Sequence, residues 1–302
     1  MIERMPNTFV VGAGPVATAL AGALRLGGVP VLGLWARNPA TARAAAAVSG
    51  VAAFSSAPPD LLLEADVVVI AVRDDAIASV ARMLVATGLI TRHHVLVHCS
   101  GVVSAEEAFA DVRDRVGGVA ILHPLRAIPD GSAAMRAMAG TVFGIEGDER
   151  GVSRARGLAS ALSGTTLELS GEQMAAYHAA AAIASNYLVG LLDAASVLLE
   201  KVGIGGEAGV QALLSLVEGT LENVRAHGLK ESLTGPIRRG DRETIERHLR
   251  TLPAELSDVY RTLGRRVLAM TRAIGDVPSE RLDEIDKLLL ADGDPDVASQ
   301  AS

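Results

Sequence analysis

The first residues that could do chemistry are three small ones spaced as Gly12-x-Gly14-x-x-Ala17, directly after the apolar run Thr8–Val11. Gly12 allows a tight turn, Gly14 lets a pyrophosphate approach the backbone, and Ala17 lets the next helix lie close to the strand. The helix N-terminus offers free N–H groups and a partial positive charge to phosphates. A plain strand–turn–helix is the structural alternative. The predicted cofactor contacts of this turn are Gly12, Gly14, Pro15, Val16 and Ala17.

The end of the second apolar run, at Arg37, bears on which dinucleotide binds. Sites that prefer NAD usually place Asp or Glu here to hold the ribose hydroxyls, and residues 36–39 contain no carboxylate. An arginine at this point favours the 2′-phosphate of NADP through its charge and its paired hydrogen bonds. The sequence therefore predicts NADP as the cofactor, with NAD less favoured, unless Arg37 is simply a solvated surface residue.

Three later apolar runs also end in residues that could meet a ligand. Val72 and Arg73 end the fourth run, where Arg73 is expected near the adenosine or the ribose. Ser100 ends the fifth run, where it would project over the nicotinamide or cap the following helix. His123 ends the sixth run, where it could meet substrate or bond to a turn carbonyl. Cys99 is interpreted as a small buried apolar residue rather than a reactive thiol.

The second half of the chain holds two further polar clusters. His178 and Asn186 lie about 80° apart around a long apolar helix and need hydrogen-bond partners, which a substrate, a nicotinamide amide or a neighbouring helix could supply. His178 is the candidate acid/base, because the unperturbed pKa of histidine lies near neutrality. Ser100, Asn186 and Thr234 are candidates to hold a substrate oxygen.

Thr234 belongs to the segment 234–241, which is rich in Gly, Pro and charge. Loops of this composition often carry function. Arg238 or Arg239 could hold a substrate carboxylate there. The alternative is a rigid connector whose Asp241 caps the next helix, and both interpretations can hold together.

The elements that must position these residues change character along the chain. Alternating strands and helices predict that residues 1–147 form an α/β dinucleotide-binding domain with a doubly wound, mostly parallel sheet of the Rossmann type. Residues 148–292 are predicted to form an all-helical domain for substrate binding and dimerisation, and residues 293–302 a frayed tail. The predicted helix 172–202 is apolar almost all round, so a homodimer is expected to cover it.

Composition narrows the possible partners. A net charge of −7 over 302 residues argues against nucleic acid. No uninterrupted apolar run of about 18 residues predicts a membrane span, and the N-terminus does not resemble a signal peptide. The single cysteine excludes an internal disulfide and a cysteine metal cluster, so no metal site is predicted. These features predict a cytoplasmic protein that acts on a small molecule.

The chain resembles a family of Rossmann-like, NADP oxidoreductase-like proteins whose C-terminal helical domain has no assigned function, in the 6-phosphogluconate and β-hydroxyacid dehydrogenase superfamily. The resemblance covers nearly the whole chain. It implies a nicotinamide-binding domain followed by a helical domain for dimerisation and substrate. The motifs that carry it are His98-Cys99-Ser100-Gly101, His123-Pro124-Leu125, Tyr177-His178, Ser185-Asn186-Tyr187 and the segment 234–241.

One departure from the wider superfamily concerns its acid/base. The β-hydroxyacid dehydrogenases carry Ser-Gly after the fifth strand, as at Ser100-Gly101, and a Lys-x-x-x-Asn motif on the long helix. If Asn186 is the asparagine of that motif, Ala182 occupies the lysine position. Either His178 replaces the lysine, or the protein performs different chemistry.

Two functions follow from these observations. The first is an NADP-dependent oxidoreductase that moves a hydride between nicotinamide and a small carbonyl, imine or alcohol carbon. Reductases acting on pyrroline, ketopantoate or deazaflavin are alternatives within that class. The second is a non-catalytic NADP-binding regulator, which the missing lysine favours. Polar groups converging on a cleft would favour the enzyme.

Overall fold

The computed structural model describes residues 4–129 and 131–290 of the chain. They belong to two compact units, Met1–Asn186 and Tyr187–Ser302. The predicted tail, residues 293–302, lies outside the described residues.

Within the described residues, eight strands form one sheet in the first unit. They are β1 (Thr8–Val11), β2 (Val31–Ala36), β3 (Ala53–Ser55), β4 (Val67–Ile70), β5 (Val95–His98), β6 (Gly118–Pro124), β7 (Val142–Gly147) and β8 (Thr165–Glu168). Their spatial order is β3-β2-β1-β4-β5-β6-β7-β8, and β6 with β7 is the antiparallel pair in an otherwise parallel sheet. The predicted doubly wound, mostly parallel sheet is therefore confirmed.

Helices cover both faces of this sheet. They are α1 (Pro15–Leu26), α2 (Pro39–Ser49), α3 (Ile77–Ala86), α4 (Ala105–Phe109), α5 (Ser132–Met138), α6 (Glu149–Ala161) and α7 (Met174–Ala184), with short 3-10 turns at Asp60–Glu64, Asp74–Ala76, Ala110–Arg115 and Gly171–Gln173. In β1, Val10 packs into one core and Phe9 and Val11 into the other. Because both faces are covered at the centre of the sheet, β1, β4 and β5 are buried throughout and are largely continuous apolar runs rather than alternating ones.

The first unit extends past the boundary that the sequence predicts at residue 147. β8 pairs in parallel with β7, α6 packs against β6, and α7 buries Met174 in one of the two cores. These elements are joined to the sheet by backbone pairing and side-chain packing, so the division between the units falls after Asn186.

The predicted single helix 172–202 is interrupted. α7 ends at Ala184, and Ser185, with φ −118° and ψ −71°, departs from helical geometry before α8 (Asn186–Lys201) begins. By length and composition alone, the stretch Gly171–Lys201 could cross a membrane, since an 18-residue window within it has a mean hydropathy of 1.6. Its first part belongs to the sheet unit, where Met174 is fully buried.

The second unit is helical, as predicted. After α8 come α9 (Gly206–His227), α10 (Pro236–Arg239), α11 (Arg242–Thr251), α12 (Ala254–Ile274) and α13 (Ser279–Leu290). A small core joins α10 to α13, formed by Ile237, Ile245, Leu268, Leu282, Ile285 and Leu289. In contrast, α8 has no buried residue along its described length, and α9 buries Gly209 alone.

Candidate functional site

The turn after β1 has the geometry that its glycine spacing predicts. Gly12 has a φ of +131°, and a Cβ built on it would lie 2.2 Å from the carbonyl oxygen of Ala71, so a side chain is excluded. A Cβ built on Gly14 would meet nothing within 4 Å. Gly14 is the N-cap of α1, and no side chain caps this end. The N–H groups and the dipole of α1 are therefore open to an anion.

A cavity of about 880 Å³ lies beside this turn, at the carboxyl ends of β1, β2 and β4. We call it the dinucleotide cavity. Its size is in the range of ligand sites. Ala17 lies behind the turn, fully buried, and the cavity wall extends to Cys99 but not to Ser100. The predicted cofactor residues that line it are Gly12, Gly14, Pro15, Val16, Arg37, Val72 and Arg73.

The two arginines of the dinucleotide cavity differ in their partners. Arg73 donates to Asp75, with its Nε 3.1 Å from Oδ1, and this hydrogen bond lowers the pKa of Asp75. Arg37 is exposed at the end of β2, and no carboxylate in the two described ranges forms an ion pair with it. Asn38 caps α2 through its own side chain. Arg37 is thus the guanidinium at this strand end that remains available to a phosphate.

Trp35 also lines the dinucleotide cavity, and sequence reasoning missed it. It is 4% exposed, and its Nε1 is buried without a hydrogen-bond partner in the described part of the chain. The available signal was its place as the one tryptophan of the chain, at the end of a strand beside Arg37.

The loop after β5 is shaped by His98 and Ser100. His98 is fully buried, its Nδ1 accepts the N–H of Ser100 at 3.2 Å, and burial lowers its pKa to about 4. The hydroxyl oxygen of Ser100 accepts the N–H groups of Val102 and Val103, each at 3.2 Å. Ser104 caps α4 instead. Ser100 therefore holds the loop through its oxygen and retains one O–H donor.

Four residues meet at the carboxyl ends of β5 and β6: Gly101, His123, Tyr177 and His178. We call them the histidine cluster. Tyr177 Oη lies 3.1 Å from His123 Nδ1, and the two imidazole centroids are 6.0 Å apart. A Cβ built on Gly101 would lie 2.6 Å from His178 Nδ1 and 2.8 Å from His123 Nε2. Two ring nitrogens therefore converge on one point beside Gly101.

The electrostatics of the histidine cluster follow from its burial. Burial lowers the pKa of His123 to about 4, with a further decrease from the charge of His178 and a smaller opposing effect of Asp74. His123 is therefore neutral at pH 7. His178 Nδ1 is buried and has no hydrogen-bond partner among the residues described, as is also the case for His98 Nε2. Buried ring nitrogens are normally paired, so His178 Nδ1 is a candidate for a ligand contact.

Neighbouring Cys99 has no sign of reactivity, because burial raises the pKa of its thiol to about 12. A thiol in that state is protonated and a poor nucleophile. The structure therefore agrees with the interpretation of Cys99 as a small apolar residue.

Asn186 and Thr234 are not part of this cluster in the first unit. Asn186 is exposed at the start of α8, and the interruption at Ser185 breaks the helical stripe expected to join it to His178. Thr234 lies in the second unit, where it lines a cavity of about 490 Å³.

The two arginines of that smaller cavity are also unequal. Arg238 makes two hydrogen bonds to Asp276, of 2.8 and 2.6 Å, while Arg239 is exposed. Asp241 caps α11 by accepting the N–H of Thr244 at 3.1 Å. Of the two arginines considered for a carboxylate, Arg239 is therefore the available one.

Two family models match the chain. Residues 8–101, which include the glycine turn and Arg37, match the model described as NADP oxidoreductase, coenzyme F420-dependent. Residues 141–267, which include Tyr177 and His178, match a domain of unknown function, DUF2520. No curated protein matches the chain.

Several solved structures are similar to it over almost the whole length. A protein from Thermotoga maritima is 26% identical, with a TM-score of 0.63 over 93% of this chain and 98% of that one. A candidate NADP oxidoreductase from Bacteroides fragilis is 22% identical, with a TM-score of 0.62 over 89% and 98%. A pyrroline carboxylate reductase from Plasmodium falciparum, with NADP bound, is 13% identical, with a TM-score of 0.59 over 94% and 99%.

These comparisons confirm the predicted combination of an NADP oxidoreductase-type Rossmann region with a helical region of unassigned function. They agree with the expectation that the chain is an oxidoreductase. Its placement in the 6-phosphogluconate and β-hydroxyacid dehydrogenase superfamily stays a prediction.

Proposed function

We propose that this protein is an NADP-dependent oxidoreductase that transfers hydride between the nicotinamide and a small carbonyl, imine or alcohol carbon. The observation that carries the proposal is the buried, unpartnered Nδ1 of His178 at the same sheet edge as the dinucleotide cavity. Cys99 lines the cavity and Gly101 belongs to the histidine cluster, so the two sites are adjoining parts of one loop.

The residues of the dinucleotide cavity fit NADP. The open space at Gly14 leaves room for the pyrophosphate against the N-terminus of α1, and Arg37 is free to hold the 2′-phosphate. When bound, the nicotinamide supplies or accepts the hydride. The preference for NADP over NAD rests on Arg37 and on the missing acid at the end of β2.

The histidine cluster would manage the proton. We assign acid/base transfer to Nδ1 of His178, which has no competing partner within the described structure. If Tyr177 donates its hydroxyl proton to His123 Nδ1, neutral His123 carries its own proton on Nε2, the nitrogen that faces Gly101. His123 would then donate a hydrogen bond to the substrate oxygen or nitrogen.

Ser100, Asn186 and Thr234 remain proposed contacts of the substrate, and Arg239 is the proposed partner of a substrate carboxylate. The remaining O–H of Ser100 supports its assignment, because the serine oxygen is already engaged with the loop. The exposed guanidinium of Arg239 supports its assignment as the partner of a substrate carboxylate.

A non-catalytic NADP-binding regulator is the second candidate. Ala182 at the position of the expected lysine favours it. Against it stands the convergence of two imidazole nitrogens on one point, which a regulator that only binds nucleotide does not need.

We further propose that the protein is a homodimer in which α8 and α9 are covered by a second copy. Large apolar side chains on these helices are exposed, among them Tyr187 at 63%, Val189 at 68% and Leu216 at 69%. Exposed large apolar side chains, when they cluster, mark an interaction site, and their number on these two helices supports the proposal. The ionisable residues Asp193, Glu218 and Glu222 lie within the same helices and favour a protein partner over lipid.

The decisive experiment is a calorimetric titration with NADPH and NADH, followed by a screen of small 2-oxo acids and cyclic imines for NADPH oxidation. Tight NADPH binding together with oxidation of NADPH supports the enzyme. Binding without turnover of any substrate in the screen supports the regulator. Absence of nucleotide binding contradicts both.

A further inference from the structure

The first unit has another cleft, at the amino ends of its strands, whereas the dinucleotide cavity lies at their carboxyl ends. The volume of this cleft is about 570 Å³. Arg92 precedes β5 and Gly117 precedes β6, so the cleft is at the amino ends of the strands whose carboxyl ends carry the histidine cluster. We call it the arginine cleft. It is lined by Arg92, Arg113, Asp114, Val116, Gly117 and Arg150.

Two of its guanidinium groups are fixed by backbone carbonyls. Arg92 Nε donates to the carbonyl oxygen of Asp114 at 3.0 Å, and Arg150 Nη2 donates to that of His93 at 2.7 Å. Each side chain therefore uses one N–H group to hold its position. An arginine has five N–H donors, so the others remain for a ligand.

The charge of the cleft is not neutralised by the carboxylates around it. Arg113 pairs with Asp148 at 2.6 Å, and Asp148 also accepts the N–H groups of Val119 and Gly151, each at 2.8 Å. This carboxylate is thus fully engaged. Asp114 is the remaining acid in the lining.

Arg92 and Arg150 form no ion pair within residues 4–129 and 131–290, although the chain carries a net charge of −7. The three arginines of the cleft exceed its two neighbouring carboxylates, Asp114 and Asp148, by one charge, and this excess favours an anionic ligand.

Gly117 makes room for this arrangement. A Cβ built on it would lie 2.6 Å from Nη1 of Arg150 and 2.4 Å from the carbonyl oxygen of Arg92. Its backbone is not in the left-handed region, so space rather than φ requires the glycine. The missing side chain lets the Arg150 guanidinium lie directly against the backbone.

We propose that the arginine cleft binds the phosphate group of a small molecule. Planar guanidinium groups recognise phosphate through paired, charge-assisted hydrogen bonds, and pre-positioned ones lose less side-chain freedom on binding. The site is separate from the dinucleotide cavity and does not depend on the proposed oxidoreductase activity.

The test is a calorimetric titration of the full chain with inorganic phosphate in phosphate-free buffer. The double variant R92Q/R150Q should lose affinity for phosphate by at least about tenfold, because it removes the charge-assisted hydrogen bonds of both guanidinium groups. The variant R82Q is the matched control, since Arg82 forms an exposed pair with Asp111 elsewhere on the first unit. It should bind phosphate as the parent does.

Equal phosphate affinity in the parent and in R92Q/R150Q would overturn the proposal, as would a parent without saturable binding. Phosphate held at the glycine turn of α1 would persist in the double variant and so would be recognised as a different site. If the double variant does not fold by circular dichroism, R150K replaces it. That change keeps the charge but removes the planar fork, and it should weaken binding severalfold.

Discussion

The sheet of the first unit and the pair α8–α9 are both rich in apolar residues, yet they differ in what covers them. All four residues of β4, Val67–Ile70, are buried, whereas α8 has no buried residue along its described length. An apolar sequence therefore indicates that a surface is to be buried, but it does not indicate which element or which partner buries it. Helices of the same chain cover β4, whereas α8 is left exposed in one copy and would be covered by the second copy of the proposed homodimer.

The histidines show the same contrast. Burial lowers the pKa of His94, His98 and His123 in the first unit. His227 and His248 of the second unit are exposed. The two units should therefore respond differently to acid and to substitution.

The largest difference is expected on acidification, which should destabilise the first unit. His98 and His123 have pKa values of about 4 when folded and about 6.5 when unfolded, so the unfolded state binds more protons in between. The free energy of unfolding therefore carries no penalty from these histidines above about pH 6.5. It decreases by up to about 3 kcal/mol per histidine as the pH falls to 4. Urea unfolding between pH 7 and pH 4 measures this.

Two variants test the source of this pH dependence. H98Q removes a buried histidine, and H248Q, the control, removes an exposed one. H98Q should reduce the dependence of the free energy of unfolding on pH, and H248Q should leave it unchanged. An equal pH dependence in all three proteins would show that the buried histidines are not its source.

Removing the imidazole of His178 should reduce turnover by about a hundredfold or more, the usual contribution of a general acid/base. NADPH affinity should stay close to that of the parent, because His178 does not line the dinucleotide cavity. Steady-state kinetics and calorimetry of H178A measure the two quantities. H93A is the control, since His93 pairs with Asp66 away from the cluster. Normal turnover in H178A would transfer the role to His123.

A charge on α9 should dissociate the proposed homodimer. L216E places a carboxylate on a side chain that is 69% exposed in one copy, and burying it against a second copy should weaken association by about tenfold or more. L26E is matched to it, because Leu26 is 64% exposed at the end of α1. Light scattering over a range of concentrations should show a shift towards monomer for L216E alone. A monomeric parent protein at micromolar concentration would contradict the proposal.

The smallest effect is expected at the cofactor, where R37D should narrow or reverse the preference for NADPH over NADH. Losing the charged hydrogen bonds to a 2′-phosphate should cost about tenfold in NADPH affinity. R43D changes the same charge on α2 outside the cavity lining and should preserve the preference. Equal affinity of the parent protein for both cofactors would refute the role of Arg37.

The fold could be predicted from the sequence wherever local rules decide it. Gly12 and Gly14 mark the first turn, and continuous apolar runs mark strands covered on both faces. A last short strand at residues 166–169 could be predicted, and β8 lies at Thr165–Glu168. Its membership of the sheet unit could not, because that depends on its pairing with β7, which its own composition does not encode. The sequence also did not predict α5, a seven-residue helix without a distinct capping signal.

The site could be predicted in its residues more than in its contacts. The sequence indicates His123 and His178 separately, because each is a polar residue in an apolar segment. Their convergence on Gly101 and the bond from Tyr177 to His123 depend on the approach of α7 to β6, which no local pattern encodes. The contacts of Ser100, in contrast, are local, since its hydroxyl oxygen accepts the N–H groups of Val102 and Val103 in its own loop.

The position of Trp35 gives this protein an internal optical probe. Its indole is the one tryptophan of the chain and lines the dinucleotide cavity, so the long-wavelength emission of the protein arises from the wall of that cavity. A nucleotide entering the cavity changes the surroundings of the fluorophore without any label. Binding of nucleotide in the dinucleotide cavity can thus be followed in real time. Events confined to the second unit should not change this emission.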